Sequence, residues 1–296
     1  MSSNSYRSHR IGSAVLWPQS LTAEAARITD RFAPPGCRSP QRPADQLPDR
    51  QSDVQPPRLV LCSRSPRRQN LLALCGRPFE TAAADLPEKA LEAAVVEACG
   101  RLPIRLAAAM ANRALAIAKA RTVHNAEQAV RSAGAAHESD AVLNPAASNP
   151  AATAAGALYI GSDTMVLTED AILDKPADSE EARRMLLALS GRTHYVLTAV
   201  CLLRTDANGC TRSEQTHTAA TAVTFYPPYR RQKELIDWYA ASGSPLDKAG
   251  GYGIQDAGAL LIERISGDYY TVMGLPVAWL NRELMLLGAP DRTVPV

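Results

Sequence analysis

Long hydrophobic runs are what this sequence most clearly lacks. No apolar stretch approaches the roughly 20 residues that a helix needs to cross a bilayer. The first residues also lack the apolar segment of a secretory signal. We therefore expect a soluble protein of the cytoplasm with no membrane partner.

Paired cysteines and an excess of one charge are also missing. The six cysteines are scattered, with no C-x-x-C pair and no spacing typical of a zinc site or a disulfide framework. We interpret them as reduced, mostly buried thiols. The formal net charge is only +2, and basic residues do not alternate with aromatic ones. These absences argue against a nucleic-acid partner, so any anion specificity must come from local charge placement.

The 296 residues suffice for one large α/β domain or two smaller ones with a buried core. Residues 1–57, rich in proline, serine and arginine, are predicted to be a mostly disordered extension. Their arginines and serines weakly suggest an organelle transit peptide, but a plain tail or an upstream mis-start is favoured. We predict one domain over 58–290, with a low-complexity surface insertion at about 124–157.

A regular pattern begins at position 58 and alternates strands with helices. The apolar run Leu59–Cys62 predicts a strand, and the segment after it predicts a helix with Ser65 as N-cap, Pro66 at its first position and Gly76 as its stop.

Further helices are predicted at about 102–123, 179–189, 230–242 and 276–287, and further strands at 157–160, 196–204, 218–225 and 259–265. The strands at 196–204 and 218–225 are expected to pair around a turn at 206–209. This pattern favours an α/β fold with a mixed sheet flanked by helices.

Two adjacent arginines, Arg67 and Arg68, fall in the first turn of the first predicted helix. Cations there are unfavourable by a few tenths of a kcal/mol each or more, because the helix dipole is positive at that end. A bound phosphate would explain them, since backbone N–H groups and guanidinium groups both bind phosphate oxygens. The alternative is a solvated basic turn, because consecutive helical residues point about 100° apart.

A single aspartate, Asp163, follows the predicted strand at 157–160 in a turn of small residues. A carboxylate at the carboxyl end of a strand is typical of metal ligands and general bases, but a capping or Asx-turn aspartate explains it equally well. Met165 excludes the D-x-D pattern of aspartyl-phosphate phosphatases. Lys119, Lys175 and Lys248 stand in distinctive settings, although each alone is more typical of a solvated surface lysine.

Taken in chain order, seven segments resemble one family, the Maf-like nucleotide pyrophosphatases, also called septum-formation inhibitor proteins. The segments are LVLCSRSPRR at 59–68, LAIAKA at 115–120, IGSDT at 160–164, KP at 175–176, LSGRTH at 189–194, DKAGGYGIQ at 247–255 and GLP at 274–276. They run from about residue 58 to residue 287. Chance agreement of so many motifs in the same order is very improbable.

The resemblance implies a two-lobed α/β fold, with a mixed twisted sheet around a central cleft. It also implies hydrolysis of nucleoside triphosphates to the monophosphate and pyrophosphate with a divalent metal. Asp163 would be the proton acceptor, and Arg67, Thr164 and Gln255 would set base preference. That combination looks like the subfamily that acts on dTTP and UTP, which cleans up nucleotide pools. Cys62 and Arg64 depart from the residues usual in the family.

The remaining roles follow from the same resemblance together with the needs of the reaction. Ser63, Arg68, Lys119 and Lys175 are expected to line the triphosphate path. Glu88, in a surviving Asp-x-x-Glu spacing, is expected to join Asp163 in binding the metal, and oxygen ligands favour Mg or Mn.

The alternative is a regulator of cell division that binds a nucleotide without turning it over. The joint presence of Asp163, Lys119 and Lys175 argues against it. A homodimer is compatible with the sequence, which does not decide the oligomeric state.

Overall fold

The computed structural model describes residues 56–83, 85–137 and 156–287. The predicted extension lies outside the described residues up to position 55, and so do residues 138–155 of the predicted insertion. No helix within the described ranges combines the length and the apolar character needed to span a bilayer.

Strands and helices alternate along the described chain. The strands are β1 Arg58–Leu61, β2 Glu80–Thr81, β3 Ala157–Leu167, β4 Ile172–Leu173, β5 Thr193–Thr205, β6 Thr211–Phe225 and β7 Ile262–Ser266. The helices are α1 Pro66–Ala73, α2 Glu88–Ala98, α3 Ile104–His137, α4 Ser179–Leu189, α5 Gln232–Ala241, α6 Tyr269–Met273 and α7 Val277–Leu286. Three short 3-10 segments, Ser244–Asp247, Ala249–Gly251 and Ala257–Leu261, connect α5 to β7.

All the strands belong to one open mixed sheet in the order β2-β1-β3-β5-β6-β7, with β4 beside β3. β1 is parallel to both β2 and β3, whereas β4, β5, β6 and β7 pair antiparallel with their neighbours. The predicted mixed α/β fold is therefore confirmed, and so is the predicted hairpin between β5 and β6.

Strand β3 has a gap in its pairing along one of its two edges. One edge of β3 pairs with β5 from Leu158 to Leu167. The other edge pairs first with β1, as far as Ile160, and then with β4 from Val166 onward. On that second edge, residues 161–165 pair with no described strand, and this gap between β1 and β4 lies at the bottom of a cleft.

The core lies on both faces of the sheet, because successive strand residues point to opposite sides. On β1, Leu59 and Leu61 pack beneath α1 and α7, whereas Val60 packs on the opposite face against α3. A separate cluster beneath α4 and α5 contains Phe225 and Ile236 and forms the core of the second lobe.

Two predicted elements differ from the observed ones. The turn predicted at 161–164 is wrong: Asp163 lies inside β3, because its backbone pairs with Ala199 of β5 and stays extended. The strand predicted at 259–265 begins too early, because Asp256 accepts a hydrogen bond from the Gly258 amide and starts a 3-10 segment there. Only the following residues form β7.

Helix α1 begins as predicted, with Ser65 as N-cap and Pro66 in its first turn, although the Ser65 side chain makes no capping bond. Helix α4 also occurs as predicted, capped by Asp178, whose carboxylate accepts from the Glu181 amide. Helix α3 is longer than predicted. It continues to His137, into the segment predicted as an insertion.

Candidate active site

A cavity of about 660 Å³ opens where β1 ends, between α1, the gap in β3 and the 3-10 segments after α5. All the site residues predicted from the sequence line this one cleft: Ser63, Arg67, Arg68, Glu88, Lys119, Asp163, Thr164, Lys175 and Gln255. The structure therefore brings together side chains that are far apart in the chain.

The centre of the cleft is the carboxylate of Asp163, which is buried. Its Oδ1 accepts a hydrogen bond of 2.8 Å from Lys119 Nζ, and its Oδ2 accepts one of 3.0 Å from Asn112 Nδ2. Lys119 Nζ also lies 3.0 Å from Glu88 Oε2. One buried ammonium group thus links the buried carboxylate of Asp163 to the exposed carboxylate of Glu88.

A glycine in β3 allows this arrangement. A Cβ atom at Gly161 would lie 2.1 Å from the carbonyl oxygen of Ala116 and 2.9 Å from the amide nitrogen of Ala120. Helix α3 therefore packs directly on the strand backbone, which only glycine permits. The close approach carries Lys119 to within hydrogen-bond distance of Asp163.

Arg68 forms one wall of the cleft. Its Nε donates to the carbonyl oxygen of Gly274 at 2.9 Å, and its Nη2 donates to Thr164 Oγ1 at 2.9 Å. Burial lowers the pKa of Arg68, whereas the charges of Asp163 and Glu88 raise it. Its Nη1 also donates to Ser63 Oγ at 3.5 Å. The guanidinium group is therefore fixed, and its five N–H donors exceed these three contacts, so some remain for an anion.

The hydroxyl of Thr164 belongs to a chain of hydrogen bonds. Thr198 Oγ1 donates to the carbonyl oxygen of Thr271 at 2.7 Å, and it lies 3.0 Å from Thr164 Oγ1. Since a hydroxyl has one proton, Thr164 must donate to Thr198, and it accepts from Arg68. The Thr164 proton is therefore already used within the protein.

Arg67 points to a different part of the cleft from Arg68. Its guanidinium pairs with Asp247, with 2.5 Å between Nη1 and Oδ2, and it also donates to the Asp247 carbonyl at 3.3 Å. Burial acts to raise the pKa of Asp247, but hydrogen bonds from Lys248 and Arg67 lower it overall. This ion pair joins the start of α1 to the opposite side of the cleft.

Lys175 and Gln255 lie on the outer part of the cleft, and both are exposed. Lys175 makes no ion pair with another described residue, which leaves its ammonium available to a ligand. The loop before Gln255 is anchored through Tyr252, whose hydroxyl lies 2.7 Å from Nε2 of the buried His194. Burial lowers the pKa of His194 to about 4.

Sequence reasoning missed several residues in and around the cleft, among them Asn112, Glu92 and Asp247. Glu92 lies one helical turn after Glu88, a spacing that could have revealed it. Burial raises the pKa of Glu92, and the nearby carboxylates of Asp174 and Asp163 raise it further. The charge of Lys89 acts in the opposite direction but does not cancel these effects. Asn112 lies seven residues before Lys119, on the same face of α3, and its type alone gave no signal.

The cleft thus gathers cations and two carboxylates where the parallel strand β1 ends. These features define the class: an α/β protein with an anion-binding cleft suited to hydrolytic chemistry. The comparison with known families makes this specific. The family described as Maf-like protein matches residues 58–287, and the chain belongs to it.

Curated relatives agree with this assignment. A protein of Symbiobacterium thermophilum named dTTP/UTP pyrophosphatase is 39% identical over 233 residues, which are 78% of this chain and 95% of that protein. Proteins of Moorella thermoacetica and Bacillus cereus with the same name are each 37% identical, over 78% and 77% of this chain and 95% and 94% of their own lengths.

Proposed function

We propose that this protein is a nucleoside triphosphate pyrophosphatase that hydrolyses dTTP and UTP to the monophosphate and pyrophosphate. The observation that carries the proposal is the ion-paired cluster of the buried Asp163 and Lys119 with the exposed Glu88, in a cleft whose walls carry Arg68 and Lys175. The names of the relatives support the choice of substrates. A regulator that only binds nucleotides is disfavoured, because binding alone does not need a buried carboxylate facing the cationic wall.

The reaction requires a proton acceptor and groups that balance phosphate charge. Asp163 accepts a proton from the attacking water, since its two oxygens keep lone pairs beyond those bonded to Lys119 and Asn112. Arg68 and Lys175 bind the triphosphate, with Ser63 Oγ beside Arg68.

Lys119 is mostly occupied by the two carboxylates, so it contributes to phosphate binding through its remaining N–H. Its main role in this arrangement is to hold the two carboxylates side by side.

A divalent metal, Mg or Mn, is part of the proposal. Within the described residues, no three His, Cys, Asp or Glu side chains form a cage that would hold a metal by themselves. Asp163 and Glu88 nevertheless fit a Mg ion that is bound by one or two carboxylates and by substrate phosphates. When bound, such an ion would neutralise part of the negative charge on the phosphates.

Base selection is assigned to Gln255, Arg67 and Thr164. The amide of Gln255 is exposed and can form hydrogen bonds with the edge of a pyrimidine. A site built on such bonds discriminates strongly against a base that lacks them. The Thr164 proton is donated to Thr198, so Thr164 acts through its remaining lone pair and through the placement of Arg68.

The cellular role that we propose is removal of surplus or modified pyrimidine nucleotides from cytoplasmic pools. None of the five described cysteines is in a disulfide, which fits a reducing compartment. Neither a nucleic acid nor a membrane enters the proposal. A homodimer stays a prediction, which light scattering tests.

The deciding experiment is pyrophosphate release from a panel of nucleotides with Mg or Mn. We expect dTTP and UTP to be the best substrates, and Asp163→Asn to lower kcat by about 10²-fold or more, as loss of a general base does. Arg282→Ala, an exposed change on α7, is the matched control. Full activity of the Asp163→Asn variant would contradict its role, and equal turnover of purine nucleotides would contradict the substrate assignment.

A further inference from the structure

Asn112 is an unusual residue for its place in the fold. It lies on α3, and its exposed fraction is 0%. The neighbouring positions on the same helix, Ala108, Ala111 and Leu115, are buried and apolar. An amide in such surroundings is unfavourable unless hydrogen bonds replace those it had with water.

The only hydrogen bond of the Asn112 side chain among the described residues goes to Asp163. Its Nδ2 donates to Asp163 Oδ2 at 3.0 Å. Its Oδ1 is buried and has no partner within the described ranges. The amide must be oriented this way. If it were flipped, its oxygen would face the carboxylate oxygen of Asp163, and both atoms are acceptors. Within the part of the chain that the structure describes, the bond to Asp163 is therefore the one polar contact of this buried side chain.

Two donors from one helix fix the Asp163 carboxylate. Asn112 and Lys119 are two turns apart on α3 and hold different oxygens, Oδ2 and Oδ1. Lys119 is shared with Glu88, so its position depends on a second group. No other described residue accepts a hydrogen bond from the Asn112 amide. With Lys119 alone, the carboxylate could turn about its last side-chain bond, and Asn112 prevents that rotation.

We propose that Asn112 is a positioning residue for hydrolysis, which holds Asp163 in the orientation that accepts the proton from water. This inference rests on the proposed function. It differs from a packing role, because the close contact at Gly161 already joins α3 to β3 without Asn112. A residue that only packed there would not need an amide.

The test compares Asn112→Leu, which keeps the size and removes the donor, with Met110→Leu, a buried change two residues away on the same helix. We expect Asn112→Leu to lower kcat by about 10- to 100-fold, with KM within about 3-fold of wild type, for dTTP and UTP alike. Met110→Leu should keep both constants. Asn112→Ala, which suits a helix, is the second variant in case Asn112→Leu does not fold, and the same loss is expected.

The outcomes separate this inference from the proposed function. If wild type releases no pyrophosphate from any nucleotide, the proposed function fails and the positioning role fails with it. If wild type is active and Asp163→Asn is not, but the Asn112 variants match Met110→Leu in kcat, only the positioning role is wrong. A loss confined to KM would also overturn it, because Asn112 would then affect binding and not the orientation of the base.

Discussion

Arg67 and Arg68 are neighbours in the chain, but they belong to different hydrogen-bond networks. Arg68 is held by Gly274 and Thr164, close to the Asp163 carboxylate. Arg67 is held by Asp247 on the opposite side of the cleft. The helical geometry explains this, since consecutive residues point about 100° apart. We infer that one arginine serves phosphate binding and the other serves base selection.

This separation predicts different kinetic effects of the two alanine variants. Arg68→Ala should lower kcat/KM for every nucleotide by about 10²-fold, because a charged hydrogen bond contributes roughly 1.5 to 3 kcal/mol. Arg67→Ala should instead change the ratio of kcat/KM values between pyrimidine and purine nucleotides, by about 10-fold. The measurement is steady-state kinetics on the full panel, with Arg282→Ala as control. A uniform loss in both variants would show that the arginines act together.

The sequence predicted which side chains line the cleft but not which groups most of them contact. The motifs identified Asp163, Lys119 and Arg67 because each stands in a recognisable segment. Their partners Asn112 and Asp247 depend on how elements distant in the chain approach, and Arg67 and Asp247 are separated by 180 positions. No local pattern of residue types contains that information.

The contact between α3 and β3 brings two groups of the site together. Ala116 and Ala120 meet the strand at Gly161, and their small side chains let the helix lie against the backbone. Lys119 lies within the same turn of the helix. The distance between helix and strand therefore sets the distance between Lys119 and Asp163.

Gly161→Ala tests this dependence. The added methyl group would overlap backbone atoms of α3, so we expect a loss of about 1 to 3 kcal/mol in the free energy of unfolding together with a large fall in kcat. Urea unfolding and steady-state kinetics measure the two effects. Gly100→Ala is the control. Alanine is unfavourable there because the φ of Gly100 is +57°, and not because of a clash, since the added Cβ meets no atom within 4 Å. It should lose stability and keep kcat. Wild-type kcat in Gly161→Ala would disprove the dependence.

Local sequence signals were weakest in β3. Gly161, Ser162 and Asp163 are residues typical of turns, yet their backbone pairs with β5 and remains a strand. Here tertiary pairing overrides local preference, as it commonly does in sheets. By contrast, the helices α1 and α4 were predicted well, because their start signals and apolar spacing lie within the segments themselves.

The described part of the chain is built on one open sheet, and β5 lies in its interior between β3 and β6. His194 of β5 lies there, fully buried, and packs edge-on against both Phe225 and Tyr252. Its Nε2 bonds to the Tyr252 hydroxyl, and its Nδ1 has no partner within the described ranges. Burial lowers the pKa of the ring to about 4, and a proton on Nδ1 would find no acceptor among the described residues, so the folded ring is neutral above that pH.

This histidine predicts how stability depends on pH. Its pKa is about 4 in the folded protein, against an ordinary value of 6.5. Above pH 6.5 the ring is neutral in both states and contributes no pH dependence. Between pH 6.5 and pH 4 only the unfolded chain takes up the proton, so the free energy of unfolding falls as pH falls. The total loss is about 3 kcal/mol, and below pH 4 it is constant.

Urea unfolding at pH 7 and at pH 5 measures this effect. Wild type should lose about 2 kcal/mol over that interval through His194, and His194→Gln should lose correspondingly less. His217→Gln is the matched control. Burial also lowers the pKa of His217, but the charge of Glu283 opposes that shift. Removing His217 should therefore change the dependence of stability on pH less than removing His194. Equal pH slopes in wild type and His194→Gln would mean that the buried ring is protonated in the folded state, and the sheet centre would then have to hold a charge.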